Sequence, residues 1–261
     1  MKEELKIFLT AVMFYTRIPC PSWVDHSAVY VNKSVRYFPL IGWIVGIVSG
    51  LAFLLGNWLV SPLFAAFLCM TASVWLTGAF HEDGFADVCD GFGGGWTKTQ
   101  ILTIMKDSRV GTYAVVGLVL LIVLKGALIV QVSGQYSTVY LLLVIINGHT
   151  LSRAIAATVI FTHQYVREDE LSKAKPVAKA YTTANVILVF LLGLIPTIVI
   201  GILTQVLWWF LIPLPLYFVK MYLCQRFQNK IGGYTGDCLG ATQQLVEVAY
   251  YILVVVLWKF L

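Results

Sequence analysis

Long runs of apolar residues alternate with short polar segments along most of this 261-residue chain. A helix needs roughly 18–25 mostly apolar residues to cross about 30 Å of hydrocarbon, and several runs approach or reach that length. The pattern predicts an all-α, polytopic transmembrane bundle. Because no linker or fixed-period repeat divides the chain, we expect one integral membrane domain over residues 1–261. Residues 5–15 are too few to span and predict an interfacial or re-entrant helix. The seven predicted spans are residues 38–60, 62–80, 111–132, 136–160, 183–203, 206–224 and 244–261.

The joints between these spans differ sharply in charge. Four long joints hold most of the Lys and Arg residues, and the short joints between them hold none. Basic loops stay on the cytoplasmic side, so the long joints are predicted to be cytoplasmic in a protein of the cell (inner) membrane. This bias also accounts for the net charge of +5, and no nucleic acid partner is expected. The charged joints are residues 17–36, 81–109, 163–179 and 225–242, and the uncharged ones are 57–62, 133–135 and 204–205.

An acidic, glycine-rich motif follows the second predicted span. Residues 81–95 hold four carboxylates and five glycines, although only 12% of the chain is charged. Asp83, Asp87 and Asp90 have i, i+4, i+7 spacing, which places them on one face of a helix, close enough to share a hard cation such as Mg²⁺. Glu82 and Asp107 are candidate additional ligands. The alternative is a solvated helix start whose acids only complement the helix dipole.

The segment after the acidic motif combines polar and basic residues. Residues 97–107 have the pattern of a short amphipathic helix on the interface. The polar cluster of Lys106, Asp107, Ser108 and Arg109 lies at the end of this segment, before the next predicted span. Cations here suit phosphate oxygens, although basic anchoring of the next span explains them equally well.

Polar residues also occur inside predicted spans. His149 and Arg153 lie one turn apart in an otherwise apolar run, and ionisable groups inside a span usually face a cavity. Lys125 is expected to extend toward the interface. A second glycine-rich loop, residues 232–241, contains Gly233, Thr235, Gly236 and Asp237 and could form an anion-binding nest of backbone amides. The five cysteines have neither disulfide nor zinc spacing.

Several of these segments, taken together, resemble the cobalamin synthase family. They occur in the family's order from the N-terminal segment to the last loop. The segments are residues 14–19, 36–42, 81–95, 105–111 and 232–241.

The resemblance implies a membrane-bound, Mg²⁺-dependent transferase of phosphorus-containing groups. Such an enzyme joins adenosylcobinamide-GDP to α-ribazole or its 5′-phosphate, releases GMP and forms adenosylcobalamin or its 5′-phosphate late in cobalamin biosynthesis. Its partners would be these substrates and membrane lipid, and the resemblance leaves open whether the chain also forms a homo-oligomer.

Motifs and resemblance together predict three groups of site residues. The catalytic group is Lys106 and Arg109 with Asp90, Asp237 or His149 as general base; the substrate-binding group is Gly93, Gly94, Gly95, Ser108, Arg153, Gly233, Thr235 and Gly236; the metal group is Glu82, Asp83, Asp87, Asp90 and Asp107.

Two other functions are compatible with parts of the pattern. Residues 83–86 match the first half of the CDP-alcohol phosphotransferase signature, but Asp87 replaces its Arg. A transporter of Mg²⁺ or another cation would instead need acids at mid-span and broken helices or inverted repeats. The acids of this chain gather beside glycine loops at one predicted face, which favours an enzyme.

Overall fold

The computed structural model describes residues 2–24, 27–167 and 182–259, so most of the predicted joint at 163–179 lies outside the described residues. Within these ranges the chain is almost entirely helical, and an isolated parallel bridge joins Tyr165 to Tyr234. The α-helices are α1 (Lys2–Tyr15), α2 (Ala28–Ser34), α3 (Phe38–Leu59), α4 (Pro62–Thr77), α5 (Phe80–Gly94), α6 (Lys98–Ile104), α7 (Thr112–Ser133), α8 (Thr138–Thr162), α9 (Thr183–Thr204), α10 (Trp208–Leu211), α11 (Pro213–Ile231) and α12 (Gly236–Trp258).

The structure confirms an all-α polytopic bundle but revises the number of apolar spans. In the described ranges, five helical segments are long and apolar enough to cross a membrane, and a sixth passage results if α4 and α5 are taken as one bent span. The predicted span at 206–224 is replaced by α10 and α11. Lys220, Arg226 and Lys230 make α11 too polar to qualify. The last span begins at Gly236, earlier than predicted. The five segments are Ala28–Leu59, Thr112–Ser133, Thr138–Thr162, Thr183–Thr204 and Gly236–Trp258.

A right-angle turn separates α4 from α5. The two helix axes differ by 91°, and the connecting Gly78 and Ala79 both have left-handed backbone conformations, with φ of 65° and 59°. Glycine adopts this region freely, whereas alanine does so at a cost of about 1–2 kcal/mol. The Gly78 position also faces the Arg17 guanidinium, so a side chain at this position would displace the arginine. This turn gives the acidic helix its own direction, away from the axis of α4.

Helix α8 lies at the centre of the bundle, where small residues let α3 approach it closely. A Cβ atom added at Gly42 would lie 2.6 Å from Thr150 Cα, and one added at Gly46 would lie 2.6 Å from Ile146 Cα. Glycines four residues apart form such a close-packing stripe between membrane helices, where van der Waals contact is the main attraction. The tight contact holds the polar residues of α8 in the interior.

The two ends of the bundle have opposite character. At one end the charged joints meet: Arg17 N–H donates to Leu76 O, and the extended segment at Tyr165 pairs with Tyr234. At the other end, Tyr136 packs against Trp209 and Trp258. The predicted separation into one charged and one uncharged end is therefore present in the fold. The 14-residue α1 packs against α2 at the charged end, where Glu3 forms an ion pair with Lys33.

Candidate active site

Helix α5 carries the acidic motif, and it is longer than the sequence suggested. Gly91, Gly93 and Gly94 belong to the helix, so the predicted glycine-rich loop is its last turns. Close packing accounts for Gly93 and Gly95 at the end of the motif. A Cβ atom at Gly93 would lie 2.6 Å from the Tyr113 ring, and one at Gly95 would lie 2.7 Å from Gly91 O. The Cβ position of Gly94 is less crowded, with Ile104 Cδ1 at an ordinary contact distance of 3.6 Å. The substrate-binding role predicted for Gly93, Gly94 and Gly95 stays a prediction.

Asp90 connects α5 to the start of α7. Its two carboxylate oxygens accept hydrogen bonds from Gly111 N–H at 2.6 Å and Ala114 N–H at 2.9 Å. These N–H groups belong to the first turn of a helix, where no intrahelical partner exists for them. The carboxylate is therefore used to cap α7. This leaves Asp90 less available as a general base or metal ligand than the sequence implied.

Asp83 and Asp87 are the acids of the motif that stay uncommitted. Asp83 is exposed and Asp87 half-buried, and within the part of the chain that the structure describes neither accepts a hydrogen bond or forms an ion pair. Asp87 lies within electrostatic range of Asp83, Asp237 and Arg167. Carboxylates held together in this way repel one another unless cations join them.

The glycines of α5 and α12 bring the second glycine-rich loop onto the acidic helix. A Cβ atom at Gly84 would lie 2.9 Å from Asp237 Cα, and one at Gly240 would lie 3.0 Å from His81 O. Only residues without side chains allow the two backbones to approach this closely. Asp237, in the first turn of α12, therefore joins Asp83 and Asp87.

Arg167 is the functional candidate that sequence reasoning missed. Its Nη2 donates to Asp237 Oδ2 at 2.7 Å and to the Met105 carbonyl at 3.1 Å. Tyr234 fixes the preceding residues, since its N–H donates to Gln164 O at 2.9 Å and its carbonyl accepts from Val166 N–H at 3.0 Å. The residue lies in a charged joint without a recognisable motif, so the sequence offered only its positive charge as a signal.

The loop before α12 is used differently from the predicted anion nest. Thr235 caps α12 by accepting from Cys238 N–H, and its hydroxyl donates to Asp237 Oδ2 at 3.3 Å. Gly233 packs directly on Gln164. Gly236 has no atom within 4 Å of its Cβ position, so there is open space beside it. The structure thus gives Thr235 and Gly233 positioning contacts around Asp237.

Residues 106–109 lie on the exposed surface next to this cluster. Arg109, with an 87% exposed side chain, forms an ion pair with Asp107 at 2.5 Å. The guanidinium hydrogen bonds lower the pKa of Asp107 to about 2, so this carboxylate remains ionised at physiological pH. Lys106 and Ser108 are exposed as well. The catalytic role of Lys106 and Arg109 and the substrate contact of Ser108 stay predictions.

The other predicted polar residues lie in a buried network inside the bundle. Glu247 is the centre of this network: His149 Nδ1 lies 3.4 Å and Lys125 Nζ 3.3 Å from its carboxylate oxygens. Arg153 donates to His149 O at 2.9 Å. Lys125 therefore points inward, contrary to the expectation that it extends to the interface. Glu82 Oε1 also belongs to this network, because it accepts from Gln244 Nε2 at 2.9 Å.

This arrangement divides the predicted metal ligands among four environments. Glu82 faces the interior, Asp90 caps α7 and Asp107 pairs with Arg109, while Asp83 and Asp87 remain together. Over the described ranges, no group of three or more His, Cys, Asp or Glu side chains is arranged to hold an ion. A cation at this site would need further oxygen ligands from water or from a bound substrate.

The fold and the site together define a polytopic helical membrane protein with an acid and arginine cluster at its charged end. The chain belongs to the cobalamin-5-phosphate synthase family, whose model matches residues 7–255. It is 44% identical over 260 residues to a protein of Shewanella amazonensis, covering 99% of this chain and 98% of the relative. It is 42% identical over 253 residues to a protein of Shewanella frigidimarina, covering 97% and 95%. Both relatives are named adenosylcobinamide-GDP ribazoletransferase. No solved structure matches the chain.

Proposed function

We propose that this protein is an adenosylcobinamide-GDP ribazoletransferase that acts at the cluster of Asp83, Asp87, Asp237 and Arg167. The observation that carries the site assignment is the pair of uncommitted carboxylates on α5 beside the Arg167–Asp237 ion pair. A ribazole hydroxyl attacks the phosphorus attached to cobinamide, a new P–O bond forms, the bond to the bridging diphosphate oxygen breaks, and GMP leaves. In such transfers the protein mainly positions the reactants and stabilises charge.

Asp237 is the group we assign to accept the proton of the attacking hydroxyl. Of the three predicted general bases, Asp90 caps a helix and His149 is buried in the interior network. Asp237 is partly exposed, lies next to Asp87, and is oriented by Thr235 and Arg167. Arg167 neutralises diphosphate oxygens, because a guanidinium can bind two oxygens at once.

Mg²⁺ is the cofactor we propose, and the donor set suits it. Mg²⁺ is usually held by one or two carboxylates, with water and substrate phosphate completing its shell. Asp83 and Asp87 supply such carboxylates without giving up an internal hydrogen bond. When bound, the ion would stabilise the negative charge that develops on the departing GMP.

Cation transport is a weaker alternative. It requires acids at mid-span that can hold the ion, and Glu247 is buried at such a position. Its charge is already matched by Lys125, whose ammonium lies 3.3 Å away. Buried charges that are paired in this way leave no open cation site.

We expect the purified protein to release GMP from adenosylcobinamide-GDP only when α-ribazole is present. Two measurements test this: GMP release in detergent with and without α-ribazole, and Mg²⁺ flux in proteoliposomes. Flux without GMP release would contradict the proposed function and support transport.

We further propose that the protein resides in the inner membrane with its charged end in the cytoplasm. Positive loops stay on the cytoplasmic side. Reporter domains fused after Lys98 and after Lys230 should therefore both be cytoplasmic, and a reporter inserted at Gly134 should be external. Lys98 lies close to Gly232 in the fold. Opposite locations for the first two fusions would contradict a shared face.

A further inference from the structure

A largely aromatic cavity opens beside the acidic cluster. It contains about 670 Å³ of empty space, part of it open to the outside. Its walls come from α1, α2, α3, α5, α8 and α12 and from the paired segment at Tyr165 and Tyr234. The aromatic lining residues are Phe14, Tyr15, Phe38, Phe80, Tyr165 and Tyr234.

His81 is a buried polar group in this wall. Its side chain is only 1% exposed, and in the described part of the chain neither ring nitrogen has a hydrogen-bond partner. The ring stacks on Phe38, with centroids 5.6 Å apart and planes 16° apart. Leaving a buried polar group unpaired is unfavourable, so a ligand atom that pairs with this ring gains affinity.

The cavity lies beside the proposed reaction site. His81 precedes Asp83 by two residues on α5, and the lining residue Gly236 precedes Asp237 on α12. A Cβ atom at Gly240, also in the wall, would lie 3.0 Å from His81 O. A molecule in the cavity could therefore present one end to the carboxylates.

From this geometry, and resting on the proposed function, we infer that the cavity binds the heteroaromatic base of α-ribazole, and that His81 pairs with the ring nitrogen of that base. A neutral imidazole has one N–H donor, and a benzimidazole-type base has one unsubstituted nitrogen that accepts. The corrin macrocycle with its amide side chains is much larger than a flat heteroaromatic base, which matches a narrow cavity lined by aromatic rings. Guanine carries several donors and acceptors, which an aromatic wall would leave unpaired.

Filling the cavity should impair ribazole binding selectively. Gly236→Leu extends into space where no atom lies within 4 Å. We expect it to raise the Michaelis constant for α-ribazole about tenfold and to leave that for adenosylcobinamide-GDP nearly unchanged. Equilibrium dialysis of α-ribazole alone should show the same loss. Gly134→Leu is the matched control, because its Cβ position is also uncrowded but lies at the uncharged end of the bundle.

The His81→Phe variant tests the recognition of the ring nitrogen. It keeps an aromatic ring against Phe38 and removes both nitrogens. The unmodified enzyme should prefer α-ribazole about tenfold over the corresponding indole nucleoside, in which C–H replaces that nitrogen. The variant should lose this preference.

Three results would overturn the inference. They are an unchanged Michaelis constant for α-ribazole in Gly236→Leu, a rise confined to adenosylcobinamide-GDP, and displacement of bound lipid by Gly236→Leu without any effect on ribazole. If the unmodified protein releases no GMP, the proposed function fails, whereas equilibrium dialysis of α-ribazole still decides whether the cavity binds this base.

Discussion

Replacement of Asp87 by Asn should reduce the rate of GMP release about a thousandfold. The substitution preserves the size of the side chain and removes the charge that a hard cation needs. Asp87 has no internal hydrogen bond to lose within the described residues, and its nearest acids repel it. The melting temperature of the purified variant should therefore stay the same or rise, because one like charge leaves the cluster. A purely structural residue would lower it.

Asp83, the neighbouring acid, is tested in the same way, and the surface acid Glu3 provides the control. Asp83→Asn should require more Mg²⁺ for half-maximal activity, since it removes one of the two proposed carboxylate ligands. Glu3→Gln is the matched control: it neutralises an exposed acid that pairs with Lys33 on the surface. Normal turnover in both aspartate variants would remove Asp83 and Asp87 from the reaction site.

Arg167→Lys should lower kcat/KM for adenosylcobinamide-GDP about a hundredfold. Lysine retains the charge, but it lacks the planar fork that can reach Asp237, Met105 O and phosphate oxygens together. The Michaelis constant for α-ribazole should change little, since its dephosphorylated form brings no phosphate. Because Arg167 and Asp237 act through one contact, the effects of Arg167→Ala and Asp237→Ala should be strongly non-additive in the double variant.

Steady-state kinetics with each substrate varied in turn measures this effect, and Arg226→Lys on the exposed surface of α11 serves as control. The competing hypothesis assigns the phosphate contact to Arg109. A normal Arg167→Lys enzyme together with an impaired Arg109→Lys enzyme would favour that hypothesis.

On helix α5, the sequence predicted one part of the site correctly and could not predict another. The spacing of Asp83, Asp87 and Asp90 predicted a common helical face, and the helix is present. The periodicity of the sequence does not predict which other helices pack against that face. Asp90 caps the N-terminus of α7, and Glu82 accepts a hydrogen bond from Gln244 of α12 in the interior of the bundle. Only the packing of three helices separates these acids from the two that remain uncommitted.

The sequence by itself determined the features that depend on local composition. These are the all-α membrane class, the charged and uncharged ends, and the segments that carry the family resemblance, because hydrophobic length and loop charge act within a few residues. The tertiary structure decided the features that depend on distant partners. Arg167 lies 70 residues from Asp237 in the chain, and the cavity beside His81 is lined by residues of six helices. Contacts of this kind arise from close packing at glycines and from backbone pairing between loops, and neither leaves a periodic pattern that can be recognised in the chain.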